Sequence, residues 1–117
     1  MANDFKNGLA KDVGTSPVTL YTTPSLKQSI VIECDLANTT SATITGDVFI
    51  TSGGVDHYIV KNAPIPTGGT LQVISNQKVV LDGNQVLKVQ GNTASSIDAI
   101  ASILEDVYEI EYVIYRF

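Results

Sequence analysis

"SSIDAIASILE", residues 95–105, decides between two folds for this chain. Read with a period of two, Ile97, Ala99, Ala101 and Ile103 form one row, and Asp98, Ile100, Ser102 and Leu104 form the other. That is a strand. Read with a period of 3.6, Ile97, Ile100, Ala101 and Leu104 form a helical stripe, with Ser95 or Ser96 as its N-cap. The segment alone fits both, so its neighbours must arbitrate.

Upstream lies "APIPTGGTLQVISNQKVVLDGNQVLKVQ", residues 63–90, with three short apolar runs, Leu71–Ile74, Val79–Leu81 and Val86–Val89. Gly-bearing turns separate them, Pro64 and Pro66 fix φ, and Gly83 of "DGN" is expected to take the conformation other residues avoid. Downstream, in "VYEIEYVIYRF" (107–117), Val, Ile, Tyr and Phe fill eight of eleven positions, a composition that favours strand. Tyr108, Ile110, Tyr112 and Ile114 make one of its rows; Val107, Glu109, Glu111, Val113, Tyr115 and Phe117 make the other. With strand on both sides, 95–105 is read as strand.

The same period runs through the first half. In "QSIVIECDLA" (28–37), Ile30, Ile32, Cys34 and Leu36 form an apolar row against Glu33 and Asp35, a half-buried strand with one wet face. "NTTS" turns the chain, with Asn38 suited to positive φ. In "ATITGDVFIT" (42–51), Ile44, Val48 and Ile50 face Thr43, Thr45, Asp47, Phe49 and Thr51. Gly46 falls in the inward row and predicts a bulge or a close backbone approach. "HYIVKN" is a further short strand, and "SPVTLYTTPS" (16–25) is an edge strand bracketed by Pro17 and Pro24. Residues 1–15 form an N-terminal arm: Phe5, Leu9 and Val13, four apart, fit one face of a short helix, a tail strand or a segment that orders on a partner.

About eight strands spaced by turns, without a helix long enough to connect parallel neighbours, predict an all-β antiparallel sandwich, jelly-roll or immunoglobulin-like. The sandwich is placed at 16–105, and 106–117 is a C-terminal strand or extension. At 117 residues the chain has the length of one domain. A net charge of −5 disfavours nucleic acid, which needs a basic patch. No apolar run approaches the ~18 residues of a membrane span, so no membrane partner is expected. "MANDFKNGLAKDVG" lacks the pattern of a signal peptide, so folding in a reducing cytoplasm is expected.

No catalytic, cofactor-binding or metal-ligating residues are expected. His57, the single histidine, follows Asp56, but a metal centre needs three or four converging ligands and a triad needs a serine held against the ring. "SNQK" (75–78) matches S-x-x-K, yet leads into a strand rather than the helical turn that motif requires. "NTT" at Asn38 is a glycosylation triplet, meaningful only in a secretory pathway. Cys34 reads as a buried, inert thiol. Glu105, Asp106, Glu109 and Glu111 read as a solvated acidic stripe rather than a calcium cage. What remains is surface. If one row of 107–117 packs on the core, the other exposes large apolar groups, so Tyr108, Tyr112, Val113, Tyr115 and Phe117 are the candidate interface.

The order of the motifs carries a resemblance. "GTSPVTLYTTPS", "LANTT", "ITGDVFIT", "HYIVKNAPIPTGGTL", "QKVVLDGNQVLKVQ" and "SSIDAIASILE" follow one another as in a family of small virion proteins of tailed bacteriophages, common in phages of marine bacteria and cyanobacteria. The chain resembles that family over about residues 12–105. It departs from it at "DGN", where the family has an acidic residue, and in the extension 106–117. The resemblance implies a non-enzymatic component of capsid, neck or tail, in contact with copies of itself and other virion proteins. The alternative is a carbohydrate- or receptor-binding module of a tail fibre, which would need an aromatic platform built from Tyr21, Phe49, Tyr58 or the C-terminal aromatics. A hydrolase with a carboxylate pair is a third class, and no acidic spacing specifies one.

Overall fold

The computed structural model describes residues 3–106, as nine strands: β1 (Asn3–Val13), β2 (Val18–Thr22), β3 (Gln28–Asn38), β4 (Ile44–Ser52), β5 (Val55–Ile65), β6 (Thr70–Ile74), β7 (Val79–Leu81), β8 (Val86–Gly91) and β9 (Ile97–Asp106). Every pairing is antiparallel. One sheet has the order β1-β9-β3-β6, with β7 also on β3; the other has the order β2-β8-β4-β5. β6 pairs with Cys34–Ala37 and β7 with Ser29–Val31, so the two lie end to end along one edge. Partners are nested: β4 with β5, β3 with β6 and β7, β2 with β8, β1 with β9. A hairpin ribbon rolled into two sheets in this way is a jelly roll, which resolves the choice against the immunoglobulin arrangement.

The inward rows make the core. Ile97, Ala99, Ala101 and Ile103 of β9 are fully buried, as are Val31, Cys34 and Leu36 of β3 and Leu87 and Val89 of β8. The period of two therefore holds for 97–105. Gly46 sits where sheet meets sheet: a Cβ there would lie 2.9 Å from Leu36 Cδ1 and 3.2 Å from Ile65 Cδ1. The bulge expected here is present, as a register shift between Gly46 and Val48, while the atoms that crowd the glycine belong to side chains and not to backbone.

Several expectations are corrected, most by a shift of register. Of the readings offered for residues 1–15 the strand holds: residues 3–13 are neither helix nor a separate arm but a full strand of the sandwich. A bulge between Val31 and Glu33 inserts Ile32 into β3, so Ile30 turns outward and Val31, not Ile30, fills the core. Phe49 is buried rather than solvent-facing, stacked on Tyr58 with ring centroids 4.9 Å apart. The strand around "HYIVKN" is eleven residues long, because Gly53 and Gly54, at φ 59° and 82°, make a tight hairpin that lets β4 and β5 pair from Val55 onward.

At "DGN" it is Asn84 that takes positive φ, 71°, while Gly83 is needed for space: its Cβ would lie 3.0 Å from the Leu26 nitrogen. Asn38 is not at positive φ. Its buried side chain instead ties the loop together, with Nδ2 donating to Ala42 O (2.8 Å) and Ile65 O (2.9 Å). Its Oδ1 accepts from the Thr40 N–H and hydroxyl (2.8 and 2.7 Å). That amide has no room for a glycan.

Candidate interaction surface

β1 lies at the margin of its sheet and pairs, among the described residues, with β9 alone. Along the other side of this eleven-residue strand no described residue pairs with it. Natural proteins shorten, cover or charge such edges because they template pairing with another chain. Here the edge is long and its outer row carries Phe5 and Leu9, 79% and 66% exposed.

The register extends this row across the sheet. Phe5 stands opposite Leu104, Leu104 opposite Ile30, and Ile30 opposite Val80. Four strands thus present one apolar rung on the face opposite the core, with Val80 54% exposed at its far end. A second contact pairs Leu9 with Ile100, itself 52% exposed. Two open surface depressions follow the same strands, one lined by Phe5, Lys6, Asn7 and Ser102, the other including Leu9, Lys11, Asp98 and Ile100. An outward cluster of large side chains along an edge that no described strand pairs has the composition of a contact patch rather than of a solvated face.

Local chemistry holds this edge in place. Near its C-terminal end β1 is irregular between Ala10 and Val13, and Asp12 takes φ 57°. The Asp12 N–H donates to Asp98 Oδ1 at 3.0 Å, and Lys11 Nζ lies 3.8 Å from Asp98 Oδ2. The irregularity turns Val13 inward while Phe5 and Leu9, in the same parity, stay outside. In the middle, Gly8 lies so close to β2 that a Cβ would stand 2.3 Å from Leu20 O.

Toward its N-terminal end, Lys6 Nζ lies 3.9 Å from Glu105 Oε1, as does Lys27 Nζ at 4.0 Å. Glu105 is only 5% exposed, so it belongs to the interior and not to a solvated stripe. Its Oε2 accepts from the Tyr21 hydroxyl at 2.5 Å, and Ser29 Oγ lies 2.8 Å from the same phenol oxygen. Burial, then the bond to Glu105, pushes the Tyr21 hydroxyl up to about 12. This buried carboxylate is met by one phenol and two ammonium groups, and the cluster bolts β1, β2, β3 and β9 together where β9 ends.

The five predicted interface residues, Tyr108, Tyr112, Val113, Tyr115 and Phe117, lie outside the described residues, as do Glu109 and Glu111. The patch on β1 and β9 was not foreseen from the sequence. Its signal was present in Phe5 and Leu9, but a spacing of four shares a face in helix and strand alike, and nothing local said that the face is exposed.

The other candidates are dispersed. Asp56 and His57 are neighbours on β5 and so point to opposite faces, and Asp56 Oδ1 accepts from Thr51 Oγ1 at 2.7 Å. Residues 75–78 are exposed between β6 and β7. Cys34 is fully buried, and burial, then the charge of Asp35, pushes its thiol up to about 12. On the outer face of the second sheet, Lys61 Nζ stands 4.7 Å from the centroid of the Tyr58 ring. That ammonium competes for a ring face that an aromatic platform would offer to a sugar, on a residue still 43% exposed.

The fold is similar to that of a solved chain from Bacillus endospore appendages, described as a novel family of disulfide-linked pili. The TM-score is 0.55 at 12% identity, over 90% of this chain and 86% of that one. A chain of infectious bursal disease virus, Gt strain, aligns at a TM-score of 0.32 and 9% identity, covering 87% of this chain and 39% of that one, and carries no argument. At such identities the likeness to the appendage chain is one of fold. No family model matches the chain, and no curated protein matches it.

Proposed function

We propose that this chain is a non-enzymatic structural subunit that assembles with copies of itself into a repeating particle, using the β1 edge and the outer face of β1 and β9. The observation that carries this is the exposed row of Phe5 and Leu9 beside Leu104 and Ile100, on a strand that pairs among the described residues with β9 alone. Full burial of a Phe or Leu side chain contributes about 1.5–3 kcal/mol, so two such groups per contact, repeated round a lattice, are sufficient glue. The shared fold with an appendage subunit supports the reading, because a rigid two-sheet body loses little entropy on assembly.

The mode of joining differs from disulfide-linked pili. The one cysteine in the sequence, Cys34, is buried, so contacts between copies are non-covalent. The order of motifs from "GTSPVTLYTTPS" to "SSIDAIASILE" supports the finer reading of a virion component of a tailed phage, in capsid, neck or tail, in contact with other virion proteins. Lys61 standing over the Tyr58 ring disfavours the carbohydrate-binding alternative, because a sugar would have to displace that ammonium.

Light scattering during size exclusion tests the proposal. The full chain should elute as a multiple of the monomer mass, and a Phe5→Asp, Leu9→Asp variant as a folded monomer. A full chain that stays monomeric at the highest concentration it tolerates would refute it.

A further inference from the structure

The outer face of β9 continues onto β3, where two carboxyl groups stand side by side. Glu33 and Asp35 flank Cys34, which is fully buried, so strand alternation puts both side chains on the face opposite the core. Glu33 stands opposite Ser102 and Asp35 opposite Ile100, whose partner on β1 is Leu9 of the exposed patch. Asp35 Oδ1 is shut off from solvent, and no donor among the described residues meets it. A carboxylate oxygen in that position costs free energy until a proton reaches the group.

Resting on the proposed assembly through this face, we propose that Glu33 and Asp35 hold one proton between them and that copies associate only while it is bound. Burial, then the bond and charge of Glu33, raise Asp35 to about 6, so the two carboxyl groups act as a pair. The other charged groups around them do not offset this. Asp98 of β9, on the next rung, is engaged by Lys11 of β1 at 3.8 Å. β6 places Gln72 opposite Asp35 and carries no charged residue, nor does β7. Lys78, in the link between those two strands, is exposed to solvent.

The direction of the effect follows from desolvation. A second copy seated on Leu9 and Ile100 removes water beside the pair, which favours the form with fewer charges. A carboxyl raised to about 6 keeps its proton below that pH and loses it above. The competent share of molecules therefore falls from about nine-tenths at pH 5 to about one-thirtieth at pH 7.5, which weakens the apparent Kd by up to about 30-fold.

Sedimentation of the full chain over a concentration series at pH 5 and pH 7.5 tests this. The parent should associate about tenfold or more tightly at pH 5. Asp35→Asn, which keeps the shape of the protonated group, should associate at pH 7.5 about as tightly as the parent does at pH 5. Glu33→Gln should move the weakening to lower pH, because Asp35 loses the carboxyl that raises it. Asp56→Asn removes the same charge from β5 of the other sheet and should leave the pH dependence as it was. If association does not change with pH, if the dependence survives in Asp35→Asn, or if Asp56→Asn abolishes it equally, the inference is wrong while self-association stands. A full chain that associates at neither pH removes both.

Discussion

Gly8→Ala should unlatch β1 from β2. The added methyl would stand 2.3 Å from Leu20 O, 3.1 Å from Leu20 C and 3.2 Å from Leu20 Cγ. An ordinary carbon–oxygen contact is about 3.3 Å or more, so the shortfall is about 1 Å against backbone, not against a side chain that can swing away. Gly8 is also held from the far side by its pairing with Ala101. Overpacking of this kind costs about 1–3 kcal/mol, and the rigid partner puts it at the upper end. Replacing Gly by Ala in a strand returns about 0.5–1 kcal/mol of backbone entropy. The net expectation is a loss of about 2 kcal/mol.

Urea unfolding followed by circular dichroism reads this as a midpoint lowered by about 1 M, at a slope of about 2 kcal/mol/M. The measurement belongs in the Phe5→Asp, Leu9→Asp background, so that assembly does not add to stability. Asn7→Ala, one residue away and exposed, is the control and should fall within about 0.5 kcal/mol of the parent. Gly8→Ala matching that control would refute the close packing of β1 on β2, and with it the claim that this edge is rigid.

Asn38→Ala removes four hydrogen bonds and leaves the Ile65 carbonyl without its donor, so the loss should be about 2–4 kcal/mol in the same assay. Burial, then the bond and charge of Glu33, push Asp35 up to about 6. A carboxyl raised in the folded state binds its proton more readily there than in the unfolded chain, so stability falls as pH rises from about 4 to about 6. Asp35→Asn should flatten that decline in thermal melts across the window; an unchanged slope would count against it. Cys34 should resist iodoacetamide at pH 8 in the native protein and react on unfolding, as mass spectrometry would read, because a thiol raised to about 12 holds almost no thiolate.

Much of the sandwich was legible because a period of two is dictated by the pleat itself. Residues 97–105 alternate without interruption, and their inward row is the buried one. The rule fails where one residue is inserted. Ile32 looks identical to Ile30 in a pattern, yet its insertion at the bulge shifts the register so that Val31 faces in where Ile30 was expected, and bulges leave no apolar signature. Gly46 was readable because a missing side chain in an inward row has a spatial cause. Gly83 was misjudged because the same absence was ascribed to conformation when Asn84 could supply it.

The contact patch was the hardest to read. Phe5 and Leu9 mark a face in any regular structure, but only the nesting of β1 against β9, set by residues about ninety positions away, turns that face outward and puts β1 at the margin of the described sheet.

The account turns on whether copies meet at β1. Amide hydrogen exchange of the full chain, measured at rising protein concentration, tests this most directly. Protection should grow with concentration in Asn3–Val13 while the central strands β3 and β8 stay unchanged. If β1 exchanges at the same rate at every concentration while the protein oligomerises, the copies meet elsewhere and the account is wrong.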